Sequence, residues 1–288
     1  MNTPSIGSLL RLAIVVGILA LTAHRPAYVT VGEQNRVETQ HPILCAHTRL
    51  TDEVEEWKIQ RTLVMVREMG ADTIVEFFPW AYMEPQPGQY HWSHADMVIE
   101  HAEAQGLTVI ARMGLVPAWA REEDTPLNNL PPENDPAFAA FVEAFAERYQ
   151  GRVDHLILWN EPNLAFEWGF QPADPQRYIA LLEEAVPAAR RGNPDVTILA
   201  GALAPTLEPA GSATGMNDLL YLRALYENGF AGYYDVLAIH TYGFKFPPED
   251  PPAPDVLNFR RAELLREIMV ANGDAAKPVM ITETGWND

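Results

Sequence analysis

Two short segments of this 288-residue chain put a glutamate where it could take part in bond cleavage. Trp159-Asn160-Glu161-Pro162-Asn163 closes one apolar run and Thr282-Glu283-Thr284-Gly285-Trp286 closes another. Each carboxylate follows residues of strand character, so each is expected at the carboxyl end of a β-strand. Pro162 and Gly285 are expected to bend the chain away directly afterwards. Two carboxyl groups on one rim are the equipment of glycoside hydrolysis, in which one protonates the leaving oxygen while the other attacks the anomeric carbon or activates water. Their surroundings must separate their affinities for protons. A desolvated carboxyl beside a negative charge keeps its proton, and one ringed by donors stays ionised.

The scaffold for such a rim is written in the alternation of short β-rich runs with longer amphipathic ones. The strand-like runs are 43–47, 73–78, 107–113, 153–160, 196–202, 236–241 and 278–282. The helical runs between them are 52–69, 93–105, 136–149, 175–191, 216–228 and 258–271. In 52–69, Val54, Trp57, Leu63, Val66 and Met69 recur near the helical period. Thr51-Asp52 is a candidate start signal; Gly70, Gly106 and Gly192-Asn193-Pro194 are stop signals. The strand runs are apolar on nearly every residue, as strands covered on both faces of a parallel sheet must be. The order βαβα therefore predicts a parallel α/β fold. No G-x-G-x-x-G or G-x-x-x-x-G-K-[ST] loop follows any strand, which removes dinucleotide and P-loop readings. Prolines crowd 117–136 and 247–254, long loops on the side where α/β barrels keep their chemistry.

Composition narrows the partners. Acidic residues outnumber basic ones 39 to 20, a formal charge of −19. Nucleic acid is excluded as a partner, since binding it needs surplus lysine and arginine, and an anionic lipid surface is disfavoured for the same reason. The one cysteine, Cys45, rules out an internal disulfide framework and reads as a small buried apolar residue. The apolar run Leu12–Ala23, after Arg11, is too short to span a bilayer and suits the core of a secretory signal. The expected organisation is a signal peptide or signal anchor at 1–23, a linker at 24–40 and the α/β domain at 41–288. The protein is expected to be exported, free outside the cell or tethered to the outer face of its membrane, the only expected membrane link being that N-terminal anchor.

The segments WNEPN (159–163), HTYG (240–243) and TETGW (282–286) together resemble clan A, the retaining (β/α)8 glycoside hydrolases. Within it, the chain is most similar in look to the β-xylosidase-like family thirty-nine, with the cellulase-like family five next. The likeness runs over about 43–286 and includes Trp80, the stretch 84–92 and Pro117-Ala118-Trp119-Ala120. It implies a TIM barrel and a double displacement, with Glu161 as general acid/base and Glu283 as nucleophile. Asn160 matches the clan's contact to the sugar 2-hydroxyl, Tyr242 the tyrosine that hydrogen-bonds the nucleophile, and His240 a sugar-facing histidine. No metal or cofactor is implied, and the substrate is a β-linked oligosaccharide or polysaccharide. In such a retaining site the two carboxyls stand about 5–5.5 Å apart.

Two departures from the clan pattern stand out. The second strand run, Thr73–Phe78, lacks the arginine that many members place near its end, and Arg112 on the third is the candidate substitute. The chain also stops two residues after Trp286. The barrel is thus expected to lack its last βα unit, as from a truncated frame, leaving the first and seventh strands with open edges. Further candidates for sugar contact are His47, at the end of the first strand, and Trp80, Trp119, Trp168 and Trp286, whose faces could stack on sugar rings. His91, His94 and His101 are spaced as metal ligands can be, but read as a solvated helix face. A non-hydrolytic carbohydrate-binding protein on a degenerate barrel is the alternative function. A metal-dependent amidohydrolase is disfavoured, because the first strand offers His47 without an H-x-H pair.

Overall fold

The computed structural model describes residues 44–286, with Gly7 alone before them. The expected signal and linker segments lie outside the described residues, among which no helix is long and apolar enough to cross a membrane. Seven strands form one sheet in chain order, every neighbouring pair parallel. They are β1 (Cys45–His47), β2 (Thr73–Pro79), β3 (Thr108–Gly114), β4 (His155–Leu158), β5 (Thr197–Leu203), β6 (Val236–Phe244) and β7 (Val279–Trp286). A long helix follows each of the first six: α1 (Glu56–Glu68), α2 (Ser93–Ala104), α3 (Asp135–Arg148), α4 (Pro175–Gly192), α5 (Asp218–Glu227) and α6 (Arg261–Ala271). The sheet curls until its two ends meet. The Cys45 thiol lies 3.8 Å from the Ile281 carbonyl, and His47 Nε2 lies 3.3 Å from Glu283 Oε1. The architecture is a nearly closed barrel of the (β/α)8 type; the eighth unit such barrels carry is not among the described residues.

The two-residue pleat of the strands divides the apolar side chains between two cores. Val75, Ile110, Ile157, Leu199 and Ala238 fill the barrel interior, with Cys45 and Met280 packed against them. Residues of the other parity, such as Ile74, Val109, Leu156, Ile198 and Ile239, join the larger core beneath the helices. Following the interior face toward the carboxyl rim predicts what enters the cavity there. Phe77 and Arg112 come two residues after Val75 and Ile110, His47 two after Cys45, and His240 and Tyr242 two and four after Ala238.

Strand β7 breaks that parity. Met280 faces the interior, so Thr282 rather than Glu283 would follow it inward. The β6–β7 register instead shifts between Ile281 and Glu283, and this extra residue turns Glu283 to the interior face. β7 then runs on through Trp286 instead of bending at Gly285.

Helix α1 also departs from its pattern. Leu50–Asp52 forms a separate 3-10 turn, and the helix starts only at Glu56. The cause is the buried Glu76 on β2, whose carboxylate accepts hydrogen bonds from Leu50 N (2.9 Å), Thr51 N (3.1 Å) and the Thr48 hydroxyl (2.5 Å). Val54 and Met69 are exposed, and the buried stripe is Ile59, Leu63, Val64 and Val66. His94 and His101 do not form a solvated face either; they bond the Leu50 carbonyl and the Glu56 carboxylate.

Candidate active site

A cavity of about 610 Å³ opens at the carboxyl ends of the strands, and Glu161 and Glu283 both line it. One oxygen of each lies within 4.8 Å of one oxygen of the other. Glu283 is ringed by donors from three other strands. Tyr242 Oη donates to Oε2 at 2.7 Å, Arg112 Nη1 donates to Oε1 at 2.9 Å, and His47 Nε2 stands 3.3 Å from Oε1. Burial pushes its carboxyl toward the neutral form. The hydrogen bonds from His47 and Tyr242 and the charges of His240 and Arg112 outweigh burial and hold Glu283 well below the usual carboxylate range. Burial, helped by the same carboxylate, pushes the Tyr242 phenol well above its ordinary range, so Tyr242 stays a donor.

Arg112 takes the place expected of it. Its guanidinium lies over the Phe77 ring at 4.7 Å and bridges Glu283 to Asn160 Oδ1 at 2.7 Å. A cation reaching in from β3 thus stands where β2 offers none. Holding Asn160 by its oxygen leaves that side chain's NH2 group directed elsewhere in the cavity.

Glu161 sits on strained backbone. β4 ends at Leu158, and Trp159 (φ 74) and Glu161 (φ 41) both take left-handed conformations, each costing about 1–3 kcal/mol. The surroundings enforce them. Glu161 N donates to the Ala202 carbonyl at the irregular end of β5, Leu164 N donates to the Glu161 carbonyl, and the Trp159 indole donates to the Glu167 carbonyl. Asn163, fully buried, ties this turn to the next strand through bonds to both backbone groups of Ala204. With these kinks Asn160 and Glu161 both line the cavity, although neighbours in a plain strand would point to opposite faces.

His240 corrects the sequence expectation. It is buried, with Nδ1 2.8 Å from Glu161 Oε1 and 3.8 Å from Glu283 Oε2, beneath the carboxylates rather than on the cavity wall. It is placed to hold Glu161 and is not among the residues that line the cavity. The tryptophans need a larger correction. Trp80 is fully buried among Phe138, Phe141 and Trp119; Trp119 donates to the Glu84 carbonyl; Trp168 is buried against Trp159. Aromatic bulk at these strand ends goes to packing the loops. Trp286 is half exposed, but its indole donates to the Phe246 carbonyl and lies against Gly243, where a Cβ would come within 1.7 Å of Nε1. It does not line the cavity.

The sequence reading missed the third carboxyl of the cavity, Glu167. Burial and the nearby charge of Glu161 push it up to about 7, against the opposing hydrogen bond from Asn160. Six residues after Glu161, in a single 3-10 turn (Phe166–Trp168), it has no periodicity to mark it. Its one available signal is that it is a further acid in the loop that carries Glu161.

Glu161, His240 and Glu283 present one ligand atom each within 4.8 Å, a spacing that a metal ion could use. The donor set argues against one. Arg112 already holds Glu283 Oε1, and a second cation there would face a guanidinium in contact with its ligand.

The chain matches the family model described as glycosyl hydrolases family 35 over residues 46–159, a stretch ending just before Asn160. It is 32% identical over 117 residues to a β-galactosidase of Macaca fascicularis, a match covering 36% of this chain and 16% of that protein. Among solved structures it resembles a family 39 glycoside hydrolase from Bacteroides cellulosilyticus WH2, with TM-score 0.66 at 23% identity, over 85% of this chain and 49% of that one. A glucosidase from Croceicoccus marinus shares the fold with TM-score 0.56 at 13% identity, over 78% of this chain and 54% of that one. The chain thus spans a small part of the curated relative and about half of each solved structure.

Proposed function

We propose that this chain, which has the fold of glycoside hydrolase barrels and matches a glycosyl hydrolase family model over residues 46–159, is a retaining glycosidase that cleaves β-linked glycosides by double displacement. The observation that carries this reading is the closeness of the two carboxyls. One pair of their oxygens lies within 4.8 Å, which agrees with the short separation of retaining pairs better than with the roughly 6.5–9.5 Å at which an inverting pair holds both sugar and water.

Glu283 is the nucleophile. Its donors keep it ionised and fixed, and it forms an ester to the anomeric carbon as the glycosidic C–O bond breaks. Glu161 gives its proton to the departing oxygen in that step. In the second step Glu161 takes a proton from water, whose oxygen displaces Glu283 from the anomeric carbon and restores both groups. Arg112 and Tyr242 orient the nucleophile, and His240 orients Glu161 from below. Asn160, held at its oxygen by Arg112 and donating one N–H to Glu167, has its second N–H to offer to the 2-hydroxyl. The substrate is an oligosaccharide or polysaccharide met outside the cell, a reading supported by the signal-like run Leu12–Ala23.

Glu283→Gln and Glu161→Gln are each expected to lower kcat/KM by about 10⁴-fold or more, measured on a panel of nitrophenyl β-glycosides. Azide is expected to restore turnover to Glu161→Ala on substrates with good leaving groups, because it can replace water without a general base. Less than a tenfold loss in either glutamine variant would overturn the assignment.

A further inference from the structure

The loop after β4 carries more than Glu161. Its tip is fixed by the bond from Trp159 Nε1 to the Glu167 carbonyl (2.9 Å) and by Phe170 N bonding the Ala165 carbonyl (2.7 Å). Gly169 lets it lie against the loop after β3: a Cβ there would stand 2.6 Å from Asn129 Cα. From that neighbouring loop, Asn128 Nδ2 reaches Glu167 Oε2 at 3.3 Å and the Phe166 carbonyl at 3.4 Å. Asn128, Phe166 and Glu167 all line the cavity that holds the two glutamates.

The chemistry of this patch is that of a sugar-binding wall. Phe166 is 59% exposed, with Phe170 edge-on at 5.8 Å behind it, so an aromatic ring faces the cavity with no protein packed over it. Beside it, the donors to Glu167 are two amides, Asn128 and Asn160, and not a cation. A carboxyl can take part in about four hydrogen bonds, so capacity remains for a ligand's hydroxyl groups. An apolar face next to polar groups of unfilled capacity suits a pyranose ring, which presents C–H groups on its faces and hydroxyls at its edge. Glu167 belongs to the same loop as Glu161, its carbonyl bonded by the Trp159 indole two residues before that glutamate, which sets the patch on the proton-donor side of the pocket. The glycosidic oxygen and the group leaving with it lie on that side.

We propose that Phe166, Glu167 and Asn128 form the subsite for the leaving group, and that they select a sugar there, Phe166 stacking on its ring and Glu167 bonding its hydroxyls. The assignment deepens the glycosidase reading and rests on it for which side of the pocket is the leaving side. Glu167 is a specificity residue in this scheme, with no bond made or broken at it. Its raised proton affinity lets it both donate and accept near neutral pH, which suits hydroxyl partners better than a permanent cation.

The test compares two leaving groups on one glycone. kcat/KM is measured for wild type, Glu167→Gln and Phe166→Ala on cellobiose, xylobiose and lactose, and on the nitrophenyl β-glycosides of the same three glycones. Both variants are expected to lose at least tenfold more on the cleaved disaccharide than on its nitrophenyl counterpart. Calorimetry in the Glu283→Gln background reads the same subsite without turnover. Adding Glu167→Gln or Phe166→Ala is expected to weaken disaccharide binding at least tenfold, with the free monosaccharide affected less. Equal losses on the two leaving groups, or undiminished disaccharide binding, overturn the subsite. Failure of any disaccharide to bind overturns it too. Binding that depends on Phe166 and Glu167 in a wild type that cleaves nothing leaves the sugar site standing and removes the glycosidase reading. Cleavage that depends on Glu161 and Glu283 but not on Glu167 does the reverse. Because Phe166 is exposed, its variant tests the subsite even if Glu167→Gln misfolds.

Discussion

Glu283 and Glu167 share one cavity, yet their proton affinities move in opposite directions. Both are partly buried, and burial pushes both toward the neutral acid. At the end of β7, His47, Arg112 and Tyr242 converge on one carboxylate, and together they reverse the effect of burial. In the loop after β4, Glu167 has amide donors and an anion for a neighbour, so burial prevails and the carboxyl rises to about 7. Depth in a pocket therefore does not set ionisation; the number and sign of the groups aimed at the oxygens do. Strands supply such groups with a fixed two-residue aim, and a loop supplies fewer.

Removing the strand-borne donors should make Glu283 behave more like Glu167. Arg112→Met deletes the cation, releases Asn160 and raises the Glu283 pKa. A loss of about 10²–10³ in kcat is expected, with the acid limb of the pH–rate profile displaced upward. Tyr242→Phe removes one neutral donor and should cost about 10–100-fold, with a smaller displacement in the same direction. An unmoved acid limb in Arg112→Met would mean that Glu283 does not owe its ionisation to that cation.

Glu167 gives the opposite test, through stability. Its folded pKa lies above the ordinary carboxyl value. Between about pH 4.5 and 7 the native state therefore holds a proton that the unfolded chain has lost, and stability falls as pH rises through that window. Glu167→Gln removes this contribution. The variant should gain about 1–2 kcal/mol relative to wild type between pH 5 and pH 8, after discounting for contact with solvent, read by urea denaturation at both pH values. A difference that does not change with pH would contradict the raised pKa. The smallest effect is expected at Trp286. It does not line the cavity, so Trp286→Ala should change KM on nitrophenyl glycosides by less than about threefold.

Much of this layout is legible in the sequence, because it follows from the pleat. Apolar runs closed by Asn160-Glu161-Pro162 and Glu283-Thr284-Gly285 mark two carboxylates at strand ends, and βα alternation places strand ends on one rim. Arg112, His47 and Tyr242 converge because the residue two places before each, or four for Tyr242, faces the barrel interior. What could not be read depends on breaks in that regularity. The shifted register at β7 decides whether Thr282 or Glu283 turns inward, and left-handed Trp159 and Glu161 decide whether Asn160 and Glu161 share a face. Neither has a residue-type signature, since non-glycine residues adopt them only under tertiary constraint. Trp80, Trp119 and Trp168 misled for a related reason: an indole at a strand end serves loop packing as readily as sugar stacking, and the sequence does not reveal which neighbours cover it. Glu167 carried only a faint signal, as a further acid in the loop of Glu161, because its environment comes from two loops and a strand end.

In the proposed double displacement Glu283 becomes covalently attached to the sugar. Incubation with 2-deoxy-2-fluoro glycosides bearing dinitrophenyl leaving groups, for the glycone that the nitrophenyl panel identifies, should trap that ester. Peptide mass spectrometry should then find one fluoroglycosyl increment on the segment Thr282-Glu283-Thr284. A label on Glu161 or Glu167, or turnover of the parent glycoside to the inverted anomer with no label anywhere, would contradict the account.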